Sequence, residues 1–347
     1  KAANWLNHLE HDWKSPVWSH WMRALTTGHC LVRYDERGNG MSDWDTPELS
    51  FDAFVDDLES VVDNLGLERF DLLGISQGAA VAIAYAVRHP GRVRRMVLYG
   101  GYAAGWAARG DPDEVARREA MITLTETGWG ADHPAYRQLF TNLYIPGGTA
   151  EQVKWFNDVQ WVSASPENAT RMQRVLSTID VRDIVSKVSV PTLVVHARDD
   201  QVVPFAAGQY LAQHIPGATF VALEGKNHIL LETDTAWDRF VQVTRTFLSE
   251  GEAVSQRRGT ALSHAPLDPI QECRSADGTR IAYAASGEGF PLVKTPNWMT
   301  NLSLDAENPV YRHWLEECSR GRRFVRSDMR GFGMSEHDPK RFDFEAM

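Results

Sequence analysis

Between residues 50 and 248 the chain alternates short apolar runs with stretches of helical periodicity. This alternation restricts the fold more than any other feature. SFDAFVDDLESVVDNLG (50–66) places Phe51, Phe54, Val55, Leu58, Val61, Val62 and Leu65 at helical spacing and stops at Gly66. RFDLLGIS (69–76) is a buried-strand pattern, and GAAVAIAYAVRHP (78–90) is an Ala-rich helix closed by Pro90. RVRRMVLYGG (92–101), PTLVVHARDD (191–200) and ATFVALEG (218–225) are further strands. The helix PFAAGQYLAQHIP (204–216) separates the last two, and DTAWDRFVQVTRTFL (234–248) is a final helix. Strands that alternate with helices form βαβ units and a mostly parallel sheet, which carries ligands at the carboxyl ends of its strands.

One segment breaks the rhythm. Residues 103–187 have helical periodicity without a convincing strand, and they are rich in aromatics. Aromatics at helical spacing pack cores more often than they touch ligands. The insertion, however, falls between two strands, as a helical cap over an apolar pocket would. Trp106, Trp129, Trp155 and Trp161 are the candidate walls of that pocket.

The chemistry centres on GISQG, Gly74 to Gly78. G-x-S-x-G is a weak pattern alone, but here it follows a strand and opens an Ala-rich helix, the placement a nucleophile elbow requires. The small neighbours leave room for strand and helix to pass, and Ser76 stands at a helix N-terminus that favours developing negative charge. A serine hydroxyl needs a base, and the base needs an orienting acid. HARDDQVVP supplies Asp199 and Asp200, and GKNHILLE supplies His228, each just past the end of a strand pattern. Asp200 is preferred because DQVVP puts it at a loop tip with Pro204 opening the next helix; Asp199 stays open. Of the other histidines, His196 is a second candidate base and His89 reads as structural.

These motifs resemble the α/β-hydrolase superfamily, with GISQG as the elbow and DERGNGMSD (35–43) as the turn after the fourth strand. More specifically, WLNHLE (5–10) and DERGNGMS are similar to hydrolase modules fused to bacterial signalling regulators. The resemblance covers nearly all of residues 1–250. It implies an eight-stranded, mostly parallel sheet with helices on both faces and a helical cap. It also implies an oxyanion hole made by the N–H of Gln77 and, by position, that of Trp5, where AANW stands in place of the family's His-Gly. The activity implied is cleavage of a carboxylic ester or related acyl bond of a small, mainly apolar substrate by Ser76, His228 and Asp200, without cofactor or metal. Alternatives are C–C bond hydrolysis, lactone hydrolysis or perhydrolysis, and a non-catalytic sensor that binds a small ligand.

A second feature shapes the domain organisation. Residues 1–54 recur, without a gap, at 294–347, and 21 of the 54 aligned positions are identical by direct count. DERGNGMSD answers to DMRGFGMSE (328–336). A period of domain length excludes a solenoid. CRSADGTRIAYAASGEGFPLVK (273–294) reads as two strands joined at Asp277–Gly278, then a third strand. By resemblance these are the opening three strands of the fold, which residues 1–250 lack. The expected layout is therefore a core over 1–250, a linker over 251–272, opening strands over 273–294 and a partial repeat of 2–54 over 295–347. The opening strands are expected to complete the core's sheet, within the chain or in a strand-exchanged homo-oligomer. A tandem origin, with this chain a fragment of it, accounts for the repeat.

The formal charge of −10 over 347 residues, with no Lys/Arg run, disfavours nucleic acid as a partner. Three distant cysteines suggest no disulfide framework and fit a reducing, cytoplasmic setting. No apolar run reaches the length of a membrane span, so no membrane partner is expected.

Overall fold

The apolar, β-branched runs of the middle of the chain form strands Phe70–Ile75 (β1), Val93–Tyr99 (β2), Thr192–Ala197 (β3) and Thr219–Leu223 (β4). They hydrogen-bond in that order, all parallel. Helices Gly78–Arg88, Phe205–His214 and Trp237–Ser249 pack on this sheet. Strands so covered lose their polar alternation, and Met96 to Tyr99 and Leu193 to Val195 are all buried. The structure is a computed structural model that describes residues 1–129, 134–249, 270–294, 301–305, 312–339 and 341. It divides into two compact units, Lys1–Ala253 and Val254–Met347.

In the first unit the expected eight-stranded sheet is reduced, among the described residues, to four strands. The short apolar run HCLVRYD (29–35), which leads into the Gly-rich turn, forms no strand. Its carbonyls receive the Lys1 amine at Val32 O, 2.8 Å, and Asn7 Nδ2 at Tyr34 O, 3.3 Å, neither of them in a strand. A strand exists by its neighbours, and this run has too few.

The insertion between β2 and β3 contains helices Trp106–Arg109, Pro112–Gly128, Pro134–Tyr144, Ala150–Ser163 and Pro166–Thr178. Their starts follow local chemistry. Asp111 and Ser165 cap helices that open on proline, and Thr149 with Gln152 forms a reciprocal capping box. A bridge between Ala104 and Asp180 closes the base of the insertion.

The second unit has its own sheet: Gln271–Arg274 (β5), Arg280–Ser286 (β6), Phe290–Lys294 (β7) and Arg322–Ser327 (β8), in the order β5-β6-β8-β7. Gly278 at φ 87° makes the β5–β6 turn, where Asp277 Oδ1 accepts from Thr279 N. The expectation that 273–294 extend the first sheet meets no strand pairing among the described residues. Instead β8 pairs with β6 on one edge and β7 on the other. Pairing nearby segments closes shorter loops and so costs less entropy. The expected linker lies outside the described residues over 251–269, and Gln271 and Glu272 belong to β5. The parts of the repeat at 295–300, 306–311 and 342–347 also lie outside them.

Where the repeat is described, both copies are wired alike. Asp35 Oδ2 accepts from Leu9 N at 3.0 Å and Met41 N at 2.8 Å. Asp328 Oδ2 accepts from Leu302 N at 3.0 Å and Met334 N at 2.8 Å. Ser42 and Ser335 each return a hydroxyl to the aspartate carbonyl at 2.7 Å. Gly40 and Gly333 adopt φ 55° and 57°, and a Cβ at Gly40 would fall 2.2 Å from the Asp35 carboxylate. Only glycine meets both demands.

Candidate functional site

β1 ends at Ile75, and the chain turns into helix Gly78–Arg88 through Ser76 at φ 55°. That backbone region is costly for a non-glycine residue, so the surroundings must hold it. They do so by close approach. A Cβ at Gly74 would lie 2.5 Å from Gly78 O, and one at Gly78 would lie 2.7 Å from Ala3 O. Ser76 N donates to Tyr99 O at 3.0 Å, tying the turn to β2.

His228 follows β4, and its Nδ1 is 2.7 Å from Asp200 Oδ2. Asp200 follows β3, and its other oxygen accepts from Val202 N at 2.8 Å and Val203 N at 3.0 Å. Burial pushes the Asp200 carboxyl up, but the His228 imidazole and the hydrogen bonds outweigh it and hold the group below the usual value. Asp199 is exposed, so of the two candidate acids only Asp200 reaches the imidazole. His228 N donates to Tyr144 O at 2.8 Å, fixing the histidine loop to the inserted helices. Its Nε2 is buried and has no partner among the described residues.

His196 packs behind the pair, with Nε2 3.0 Å from Val203 O and 3.6 Å from Asp200 Oδ2. Burial lowers its pKa. His89 lies instead at the end of helix Gly78–Arg88, 3.1 Å from Glu59.

Ser76, Gln77, His228 and Trp5 line one cavity of about 90 Å³. The backbone N–H groups of Gln77 and Trp5 donate to no acceptor among the described residues. The loop carrying Trp5 bends sharply, with Leu6 at φ 60°, and Asn7 Nδ2 anchors it on Asp35 Oδ1 at 2.6 Å. Behind Gln77 lies Glu36, a fully buried carboxyl 3.4 Å from Gln77 Nε2, with its second oxygen unpartnered. Burial pushes its pKa up to about 8.

Of the four tryptophans expected to wall the pocket, only Trp106 lines it. Trp129 sits one layer back, stacked on Trp5 at 5.5 Å. Trp155 stacks on His11 at 4.9 Å, and Trp161 is 55% exposed. Aromatic content marks an apolar helical layer but does not say which way each ring points. Tyr144, an aromatic of the insertion, lines the cavity too, whereas Tyr102, Arg109, Arg118 and Gln173 line it and were missed. Helical spacing carries no signal that separates such polar residues from a solvated face.

A family model described as alpha/beta hydrolase fold matches residues 14–235. Among curated proteins, the non-heme chloroperoxidase of Kitasatospora aureofaciens is 31% identical over 63% of this chain and 82% of its own length. The 3-oxoadipate enol-lactonase 1 of Acinetobacter baylyi is 24% identical over 67% of this chain and 83% of its own. Among solved structures, a bromoperoxidase from Bacillus anthracis superposes with a TM-score of 0.59 at 23% identity, over 71% of this chain and 90% of its own. With a serine elbow at the end of β1 and an Asp–His pair past β3 and β4, this chain belongs to the alpha/beta hydrolase fold family.

Proposed function

We propose that the chain is a serine hydrolase that cleaves a carboxylic ester, or a related acyl bond, of a small and mainly apolar substrate. One observation carries the reading. His228 is held by Asp200 at 2.7 Å through Nδ1, while its Nε2 is left without a partner beside the cavity that Ser76 also lines. A buried imidazole nitrogen without a partner is costly unless a reacting group uses it.

In this mechanism Ser76 Oγ attacks the carbonyl carbon and its proton passes to His228 Nε2. Asp200 holds the tautomer and stabilises the imidazolium. The N–H groups of Gln77 and Trp5 receive the oxyanion. Collapse expels the alcohol, which takes the proton from Nε2 and leaves an acyl ester on Ser76. Water then attacks by the same route, releasing the acid and restoring the serine. The helices inserted between β2 and β3 act as a cap that excludes bulk water. The names of the relatives span a haloperoxidase and an enol-lactonase, so the bond attacked is stated as an acyl bond in general.

A panel of p-nitrophenyl esters of increasing acyl length tests this. Ser76→Ala should lose at least about a thousandfold in kcat/KM while remaining folded. Equal rates for the two proteins would reject the proposal, and ligand binding without turnover would favour the sensor alternative.

A further inference from the structure

The cavity in front of Ser76 is largely apolar, yet two guanidinium groups line it, Arg109 and Arg118. The carboxylate that faces them is Glu114, at the start of helix Pro112–Gly128. Glu114 receives Arg109 as a fork, with Nε at 3.2 Å and Nη2 at 2.6 Å, and Arg109 Nη1 donates to Ala104 O at 2.7 Å. That pair is neutral and fully used. Arg118 donates to Val202 O at 2.5 Å and stands 3.8 Å from a Glu114 oxygen that Arg109 already holds. No other carboxylate among the described residues lies within ion-pair distance of Arg118. Its side chain is 22% exposed. The result is one net positive charge, mostly withdrawn from water, on the wall of the cavity. A carbonyl dipole does not neutralise it, and a cation buried without a full counter-charge is unfavourable.

We propose that Arg118 binds substrate: the cavity takes an acyl compound that also carries a carboxylate, remote from the bond attacked, and Arg118 pairs with that group. The proposal deepens the reading of Ser76 as nucleophile and rests on it for the reaction, though not for the recognition. One guanidinium matches a carboxylate monoanion in charge. A phosphate dianion would bring a second charge into an apolar site. Arginine suits the task because its planar donors serve Val202 O and a ligand together. Arg118 also touches the segment that holds Asp200, since Val202 N donates to Asp200 Oδ1, so the test must separate binding from support.

The full-length chain carrying Ser76→Ala, which cannot turn over, is titrated with hydrocinnamate and with its neutral isostere hydrocinnamamide. Trp5 and Trp106 line the cavity, so intrinsic fluorescence reports occupancy. The acid should bind at least about tenfold more tightly than the amide. Arg118→Gln, which keeps a donor for Val202 O, should bring that ratio to about one, and Arg118→Lys should retain part of it. A ratio of one in the parent, no binding of either compound, or a ratio that survives Arg118→Gln overturns the proposal. Turnover supplies the second arm, with mono-p-nitrophenyl glutarate against p-nitrophenyl valerate on the chain with Ser76 intact. A preference for the glutarate that Arg118→Gln removes supports the assignment, and turnover of both esters without preference overturns it. Acid-selective binding with no turnover of any ester would sink the hydrolase reading and leave the role of Arg118 standing.

Discussion

At position 36 a carboxyl is buried behind the residue that follows the nucleophile, and its burial has a thermodynamic signature. Its pKa rises from 4.5 to about 8 on folding, chiefly through loss of water. Between those values the folded chain holds a proton that the unfolded chain has released. The stability this group contributes is therefore complete below pH 4.5 and is lost as pH rises through 8. Glu36→Gln should flatten that decline. Against the parent it should gain on the order of 3 kcal/mol between pH 5 and 8, read from urea unfolding midpoints at the two pH values. Asp12, pushed up to about 7, follows the same trend in both proteins and cancels in the difference. A second residue-scale outcome concerns the acid. Asp200→Asn should lower kcat by about a hundredfold or more, because the amide no longer holds the imidazole in the working tautomer. The same change at exposed Asp199 should leave ester turnover within about twofold. Comparable losses at both positions in an ester assay would contradict the geometry.

The elbow, the Trp5 loop and the inserted helices meet at few points, and those points decide how the elements cooperate. Gly78 is one. A methyl group there would press on Ala3 O at 2.7 Å and displace the loop that presents the Trp5 N–H. Gly78→Ala should lower kcat by about tenfold or more with a smaller change in KM, since the oxyanion forms only after binding. Equal effects on kcat and KM would point to general loosening of the fold instead. The sequence carried the elements that make this site, and the reason is physical. Each of Ser76, Asp200 and His228 follows a buried strand, and buried strands write themselves as apolar runs that end in loops. The inserted helices were legible as helices, since their apolar spacing and caps are local. Which of their side chains enter the cavity was not, because Trp106 and Trp161 look alike in sequence and only packing turns one inward and leaves the other exposed. The run 29–35 reads as apolar, but hydrogen-bond partners, which no local pattern reports, decide whether it is a strand.

The molecule as a whole consists of two units of unequal task. Every residue of the candidate site belongs to Lys1–Ala253. Phe324, buried in β8 of the second unit, can therefore be truncated as a control. Phe324→Ala should destabilise the second unit by about 3 kcal/mol, and ester turnover should stay within about twofold. Loss of turnover would mean that the units depend on one another. Which segment the strands over 273–294 pair with is the part of the architecture that the repeat alone did not disclose, because a strand pattern does not name its partner. The repeated loop has a further consequence. The second copy builds the same aspartate-centred turn, to within 0.1 Å in its two main anchors, with Met329 at the place Glu36 holds in the first. The chain thus contains its own substitution experiment, already performed: the turn folds without an acid at this place. The proton that Glu36 keeps near neutral pH answers to its burial rather than to any need of the turn that carries it.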